Sequence, residues 1–111
     1  MRLADVTTHT LPGYQQKYLR SKAHHFKPAF RISQINDNII IMTKQFLERE
    51  ELIKIRLERP EDRELCAVEL AEKTDSYLCG ILGNVIILYR RNPKNPKIQL
   101  PSRESSEQTQ K

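Results

Sequence analysis

Hydrophobic and polar positions repeat with two different periods along this chain, and the switches between the periods mark its elements. From Tyr77 to Tyr89 nearly every position is apolar, interrupted by Gly80 and by Gly83-Asn84. Val85–Tyr89 is apolar on both alternating faces, which predicts an interior strand covered on both sides. Tyr77–Leu82 predicts its neighbour. Gly83-Asn84 between them predicts a two-residue hairpin, with Gly83 taking φ > 0 at the first central position. Leu52–Leu57 alternates cleanly, with Ile53, Ile55 and Leu57 facing one way and Lys54 and Arg56 the other. That pattern predicts a strand with one wet, cationic face. Ala29–Ile32 predicts a shorter strand after Pro28.

Three stretches carry the helical period. Pro12 suits a first helical turn, and the pattern after it is helical to about His25. Leu19, Ala23 and Phe26 fall at i, i+4, i+7 as an apolar stripe, and Lys17, Arg20, His24 and Lys27 lie a quarter to a half turn away. Asn36 or Asp37 caps a second helix with Ile39, Ile40, Thr43, Phe46 and Leu47 inside; Glu48–Glu51 ends it. Pro60 opens a third, with Glu61 and Asp62 where the helix dipole favours acids. Its buried stripe is Ala67, Leu70, Ala71 and Thr74.

The order is α-β-α-β-α-β-β. Two strand–helix–strand crossovers and a hairpin predict a compact single α/β domain, a small mixed sheet packed with three helices. Residues 1–10 are expected to form a flexible arm and 11–101 the domain, with a short extended piece at Lys97–Leu100. The tail 102–111 has no apolar residue and is expected to be disordered.

The chain's 111 residues suit one domain. No apolar run approaches the ~18 residues of a membrane span, and the start lacks the core of a secretory signal. Cys66 and Cys79 are expected to be reduced thiols of a cytoplasmic protein. A formal net charge of +5 makes an anionic partner plausible without requiring one. The cations fall into three sets. The first helix and its exit carry Lys17, Arg20, Lys22, His24, Lys27 and Arg31. Lys54 and Arg56 form a pair that an ordinary solvent-facing strand would also show. Arg90, Arg91, Lys94 and Lys97 follow the last strand as a basic rim, spaced by Pro93 and Pro96. Tyr14 and Tyr18 are candidates to stack on an unpaired base, while Tyr18 and Tyr89 equally suit packing roles.

Nothing in the sequence argues for catalysis. His24 and His25 point about 100° apart on a helix, and the cysteines lack C-x-x-C spacing. Glu61, Asp62 and Glu64 occupy a helix start, where the dipole alone favours acids. No P-loop, activated-serine or dinucleotide motif occurs. The expectation is no enzyme, no metal, no cofactor, no membrane and no small-molecule substrate.

Four segments, LRSKAHHFKP (19–28), INDNIIIMTKQFLE (35–48), ELIKIRL (51–57) and GNVIILYRRNPKNPKIQLP (83–101), resemble the bacterial YhbY group of CRM-domain proteins. The resemblance covers about residues 11–101 in the right order. It implies a fold similar to the C-terminal domain of translation initiation factor three. It also implies an RNA-binding accessory protein that acts on ribosomal RNA, in precursors of the large subunit; the chain is expected to be a monomer. The family usually has a Gly-x-x-Gly loop between the first strand and second helix. Here the matching stretch, Arg31-Ile32-Ser33-Gln34-Ile35-Asn36, is about two residues shorter and lacks glycine. Helix-start amides there could still meet a phosphate, with Arg31, Gln34 and Asn36 adding side-chain contacts. Gly80-Ile81-Leu82-Gly83 has the same spacing but lies in a strand and its turn.

RNA contacts are thus expected from the first helix and its exit, the short connector and the rim, reading shape and backbone more than base sequence. The alternative is a protein-interaction adaptor that uses a free sheet edge, with RNA binding weakened or lost along with the glycine loop.

Overall fold

The computed structural model describes residues 11–58 and 62–101. The expected arm at 1–10, the Pro60-Glu61 helix opening and the tail at 102–111 lie outside the described residues. Seven elements follow in the expected order: α1 (Gly13–Ala23), β1 (Phe30–Ile32), α2 (Asp37–Glu50), β2 (Leu52–Leu57), α3 (Arg63–Lys73), β3 (Tyr77–Leu82) and β4 (Val85–Tyr89).

The strands form one mixed sheet in the order β1-β2-β4-β3. β1 runs parallel to β2, with Phe30 opposite Ile55. β4 runs antiparallel to both neighbours, so that Tyr89 faces Leu52 on one side and Tyr77 on the other. The hairpin closes at Gly83, whose φ of +60° is one that L side chains rarely adopt.

β4 is central, as its two apolar faces require, and each face feeds a separate core. Ile86 and Leu88 pack with Ile53, Ile55 and Leu57 beneath Leu47 of α2 and Ala67 and Leu70 of α3. Ile87 and Tyr89 pack with Leu52 and Cys79 against Leu19 and Ala23 of α1. Cys66 belongs to the first layer and Cys79 to the second, so the sheet separates the two free thiols.

The structure corrects four local expectations. Helix α1 stops at Ala23, because the chain must leave helical geometry ahead of Pro28. Phe26 therefore leaves the apolar stripe; the residue is 40% exposed and is in neither buried core cluster. The wet face of β2 is narrower than its alternation implies, since Leu52 is buried under α1 and only Arg56 is fully exposed. Lys54 on that face is half-buried, and its Nζ donates to the carbonyls of His24 (3.4 Å) and Phe26 (3.0 Å). Lys97–Leu100 joins no ladder; instead Ile98 and Leu100 pack against the α1 core as a strap.

Candidate functional site

The basic rim is held by a residue that the hydrophobic pattern does not mark. Helix α2 ends at Glu51, which has φ +65° and is 0% exposed. Its N–H donates to Leu47 O (2.9 Å), and its carbonyl accepts the N–H of Arg90 (2.8 Å). Its carboxylate accepts two more backbone N–H groups, Asn92 at Oε2 and Ile98 at Oε1, both at 2.9 Å. A non-glycine residue with such a φ costs about 1–3 kcal/mol, and a buried carboxylate without partners costs more. Four hydrogen bonds offset those penalties. One buried side chain thereby sets the path of residues 90–98, on which the rim cations are mounted.

Within that path, Asn92 Oδ1 accepts the N–H groups of Lys94 (3.0 Å) and Asn95 (3.3 Å), an Asx-type turn that tightens the segment. Lys97 Nζ donates to Arg49 O at the end of α2, where the helix dipole favours a cation. Arg90, Arg91 and Lys94 line a cleft of about 380 Å³ with Leu47, Glu48 and Asn92.

Other cations differ in how free they are. Lys17, Lys22, His24 and Lys27 are exposed along α1 and its exit. Lys22 Nζ lies 5.7 Å from the Tyr18 ring centroid, and His24 meets His25 edge-on at 5.2 Å. Arg20 is committed elsewhere. Its guanidinium donates to Cys79 O (2.8 Å), and its stem covers Gly80. Arg31 pairs with Glu58 at 3.5 Å, an exposed contact of small energetic weight. Gln34 is exposed, and Asn36 caps α2 by accepting the N–H of Ile39 (2.9 Å).

Strand directions sort these groups into two places. The rim leaves β4 beside Leu52, and the α1 exit reaches the same end of β2 through Lys54 and Ala29. The connector Ser33–Asn36 leaves β1 beside Leu57, at the opposite end. Five strand rises put roughly 17 Å between the two ends. The structure thus gathers the rim and α1 exit and leaves Arg31, Gln34 and Asn36 apart, with Arg56 in register beside Arg31.

The remaining reactive groups are inward-facing. Burial pushes the Cys79 thiol up to about 12 and also raises Tyr89, whose buried hydroxyl has no hydrogen-bond partner among the described residues. Burial, then Glu69, raises Cys66. Among the described residues no group of three or more His, Cys, Asp or Glu side chains could hold a metal, and no helix is long and apolar enough to cross a membrane.

Sequence reasoning missed Glu51 and the exposure of Phe26. Glu51 sits in an acidic run that reads as a solvated helix end, although the ELIKIRL segment containing it carries part of the family resemblance.

Comparison with known proteins matches this architecture. The CRS1 / YhbY (CRM) domain pattern matches residues 11–90. Probable RNA-binding protein YqeI of Bacillus subtilis is 39% identical over 95 residues, covering 82% of this chain and 99% of YqeI. Probable RNA-binding protein PA4753 of Pseudomonas aeruginosa is 31% identical over 87 residues, covering 75% of this chain and 84% of its own. The solution structure of SAV1595 from Staphylococcus aureus superposes with a TM-score of 0.72 at 39% identity, covering 82% of this chain and 99% of that one. In sequence, element order and three-dimensional fold alike, the chain belongs to the CRS1/YhbY (CRM) domain family.

Proposed function

We propose that this protein binds RNA through its phosphate backbone and acts, without chemistry, as a cytoplasmic monomer on ribosomal RNA during large-subunit assembly. The observation that carries the reading is the rim: Arg90, Arg91 and Lys94 line one cleft on a segment anchored by buried Glu51. A pre-set cationic segment binds a polyanion without first having to be ordered. The names of the relatives support RNA as that polyanion.

In this reading, phosphates lie across the Arg90–Lys94 cleft while Lys17, Lys22, His24 and Lys27 meet the RNA from the α1 side. Such contacts supply affinity that is largely independent of sequence. Arg20 serves by fixing α1 to β3, and Asn36 by capping α2. Arg31 and Gln34 join the contact where RNA runs along β2 past Arg56.

The edges of the sheet weigh against the adaptor reading. β1 has three residues, and β3 carries a bulge between Leu78 and Gly80. Short and bulged edges resist strand pairing.

Sedimentation of cell extract through a gradient at low and raised salt, with detection of this protein, tests the assembly role. Co-migration with free large-subunit particles, lost as salt rises, is the expected result. Absence from all ribosomal fractions would overturn the assembly role, and no RNA affinity of the pure protein at low salt would overturn RNA binding itself.

A further inference from the structure

We propose that Phe26 is a stacking platform for one unpaired nucleobase, adding base-dependent contact to a surface otherwise built for phosphates. This rests on the RNA-binding reading and deepens it.

Phe26 is 40% exposed and is in neither buried core cluster, so part of its side chain is open to solvent beside Ala29, Leu52 and Ile53. The ring borders a cleft of about 320 Å³ whose lining includes Lys27, Phe46, Glu50 and Lys54. Phe46 is already engaged, by Phe30 at 5.2 Å and by the Arg49 guanidinium at 4.8 Å. Among the described residues, Phe26 stacks on no other ring, which leaves it available to a ligand.

The cleft's chemistry selects a base over other occupants. Glu50 of α2, also in the lining, is an acceptor for the amino group of adenine, cytosine or guanine. Lys54, fixed by two carbonyls, and exposed Lys27 supply donors for ring nitrogens, base carbonyls or the adjoining phosphates. A flat apolar ring flanked by cations suits a π-faced, polyanion-borne group better than an apolar protein segment.

Position agrees with chemistry. The Phe26 cleft takes Phe46 and Glu50 of α2, and the rim cleft takes Leu47 and Glu48. The two therefore flank the same last turn of α2, about one helix diameter (~10 Å) apart. A single RNA strand crossing that turn can place phosphates at Arg90 and Arg91 and a splayed base on Phe26.

The test compares wild type, Phe26→Ala and Phe26→Trp on an RNA hairpin with a single-stranded loop and on a fully paired RNA duplex, each titrated at several salt concentrations. Both variants are expected to be folded at the assay temperature, with Phe26→Ala melting a few degrees below wild type because more than half of the residue is covered. Phe26→Ala is expected to lower hairpin affinity about tenfold, leave duplex affinity alone and leave the salt slope unchanged, because a stack and not a phosphate contact is lost. Phe26→Trp is expected to keep hairpin affinity. Wild-type hairpin affinity in Phe26→Ala, or equal losses on both RNAs, would overturn the stacking site while RNA binding stands. A wild-type protein that binds neither RNA would overturn the RNA-binding reading and this site with it.

Discussion

Glu51 shows how much one side chain can decide. Its carboxylate offers two acceptor oxygens to two backbone N–H groups, whereas a glutamine would turn an NH2 group toward one of them. Glu51→Gln is expected to destabilise the fold by about 1–3 kcal/mol, the cost of a buried donor left unpaired. Denaturant unfolding measures that, and faster exchange of the Asn92 and Ile98 amides would locate it. RNA affinity is expected to fall too, although the substitution removes a negative charge; simple charge counting predicts the reverse. The residue was illegible because its partners lie 41 and 47 positions away, and no local period says which acid of a run turns inward. Cys79 lies in an apolar strand, in the core beneath α1. Its thiol ordinarily titrates at 9.0 and is pushed up to about 12, mainly by burial. The thiol stays neutral in the folded state while the unfolded chain ionises first, so its contribution is full below about pH 9 and is lost towards pH 12. Wild type is expected to lose stability over that window faster than Cys79→Ala, so a falling gap between their unfolding midpoints is the readout.

At the level of elements, periodicity and turn chemistry reached most of the answer. The β3 and β4 spans and the Gly83 turn follow from apolar runs and a Gly-Asn pair, all local signals. The end of α1 was set by Pro28, but the fate of Phe26 depended on how the exit meets Lys54, a contact of 28 positions' separation. The same holds for the joint between α1 and β3. A Cβ added at Gly80 would stand 2.5 Å from Arg20 Cδ, so glycine is there because an arginine lies over it. Gly80→Ala is expected to cost about 1–3 kcal/mol by overpacking. Arg20→Ala is expected to cost a comparable amount through the lost bond to Cys79 O and lost packing. In the double variant the two losses should not add, because the clash disappears with the arginine. Additive losses in a thermodynamic cycle would show that the joint is not the source of either.

Across the whole molecule, the decisive fact is that the sheet has two ends and its cations are divided between them. Sequence order makes Arg31 look like a continuation of the α1 set, since it follows Lys27 by four positions. Parallel pairing of β1 with β2 sends it to the far end, and only topology could reveal that. The division makes the footprint of the RNA measurable. Each phosphate contact removed should flatten the dependence of log affinity on log salt by about 0.7–0.9. Arg90→Ala with Arg91→Ala is therefore expected to lower affinity and flatten the slope by about 1.5. Arg31→Ala with Arg56→Ala removes the same formal charge roughly 17 Å away. If RNA crosses only the rim and the α1 exit, this second pair leaves the slope near the wild-type value and lowers affinity slightly. If RNA runs the length of β2, both pairs flatten it alike. A rim pair that leaves the slope unchanged would remove Arg90 and Arg91 from the interface. The comparison holds net charge constant between variants, so a difference in slope reports position rather than overall electrostatics, and position is what the fold contributes.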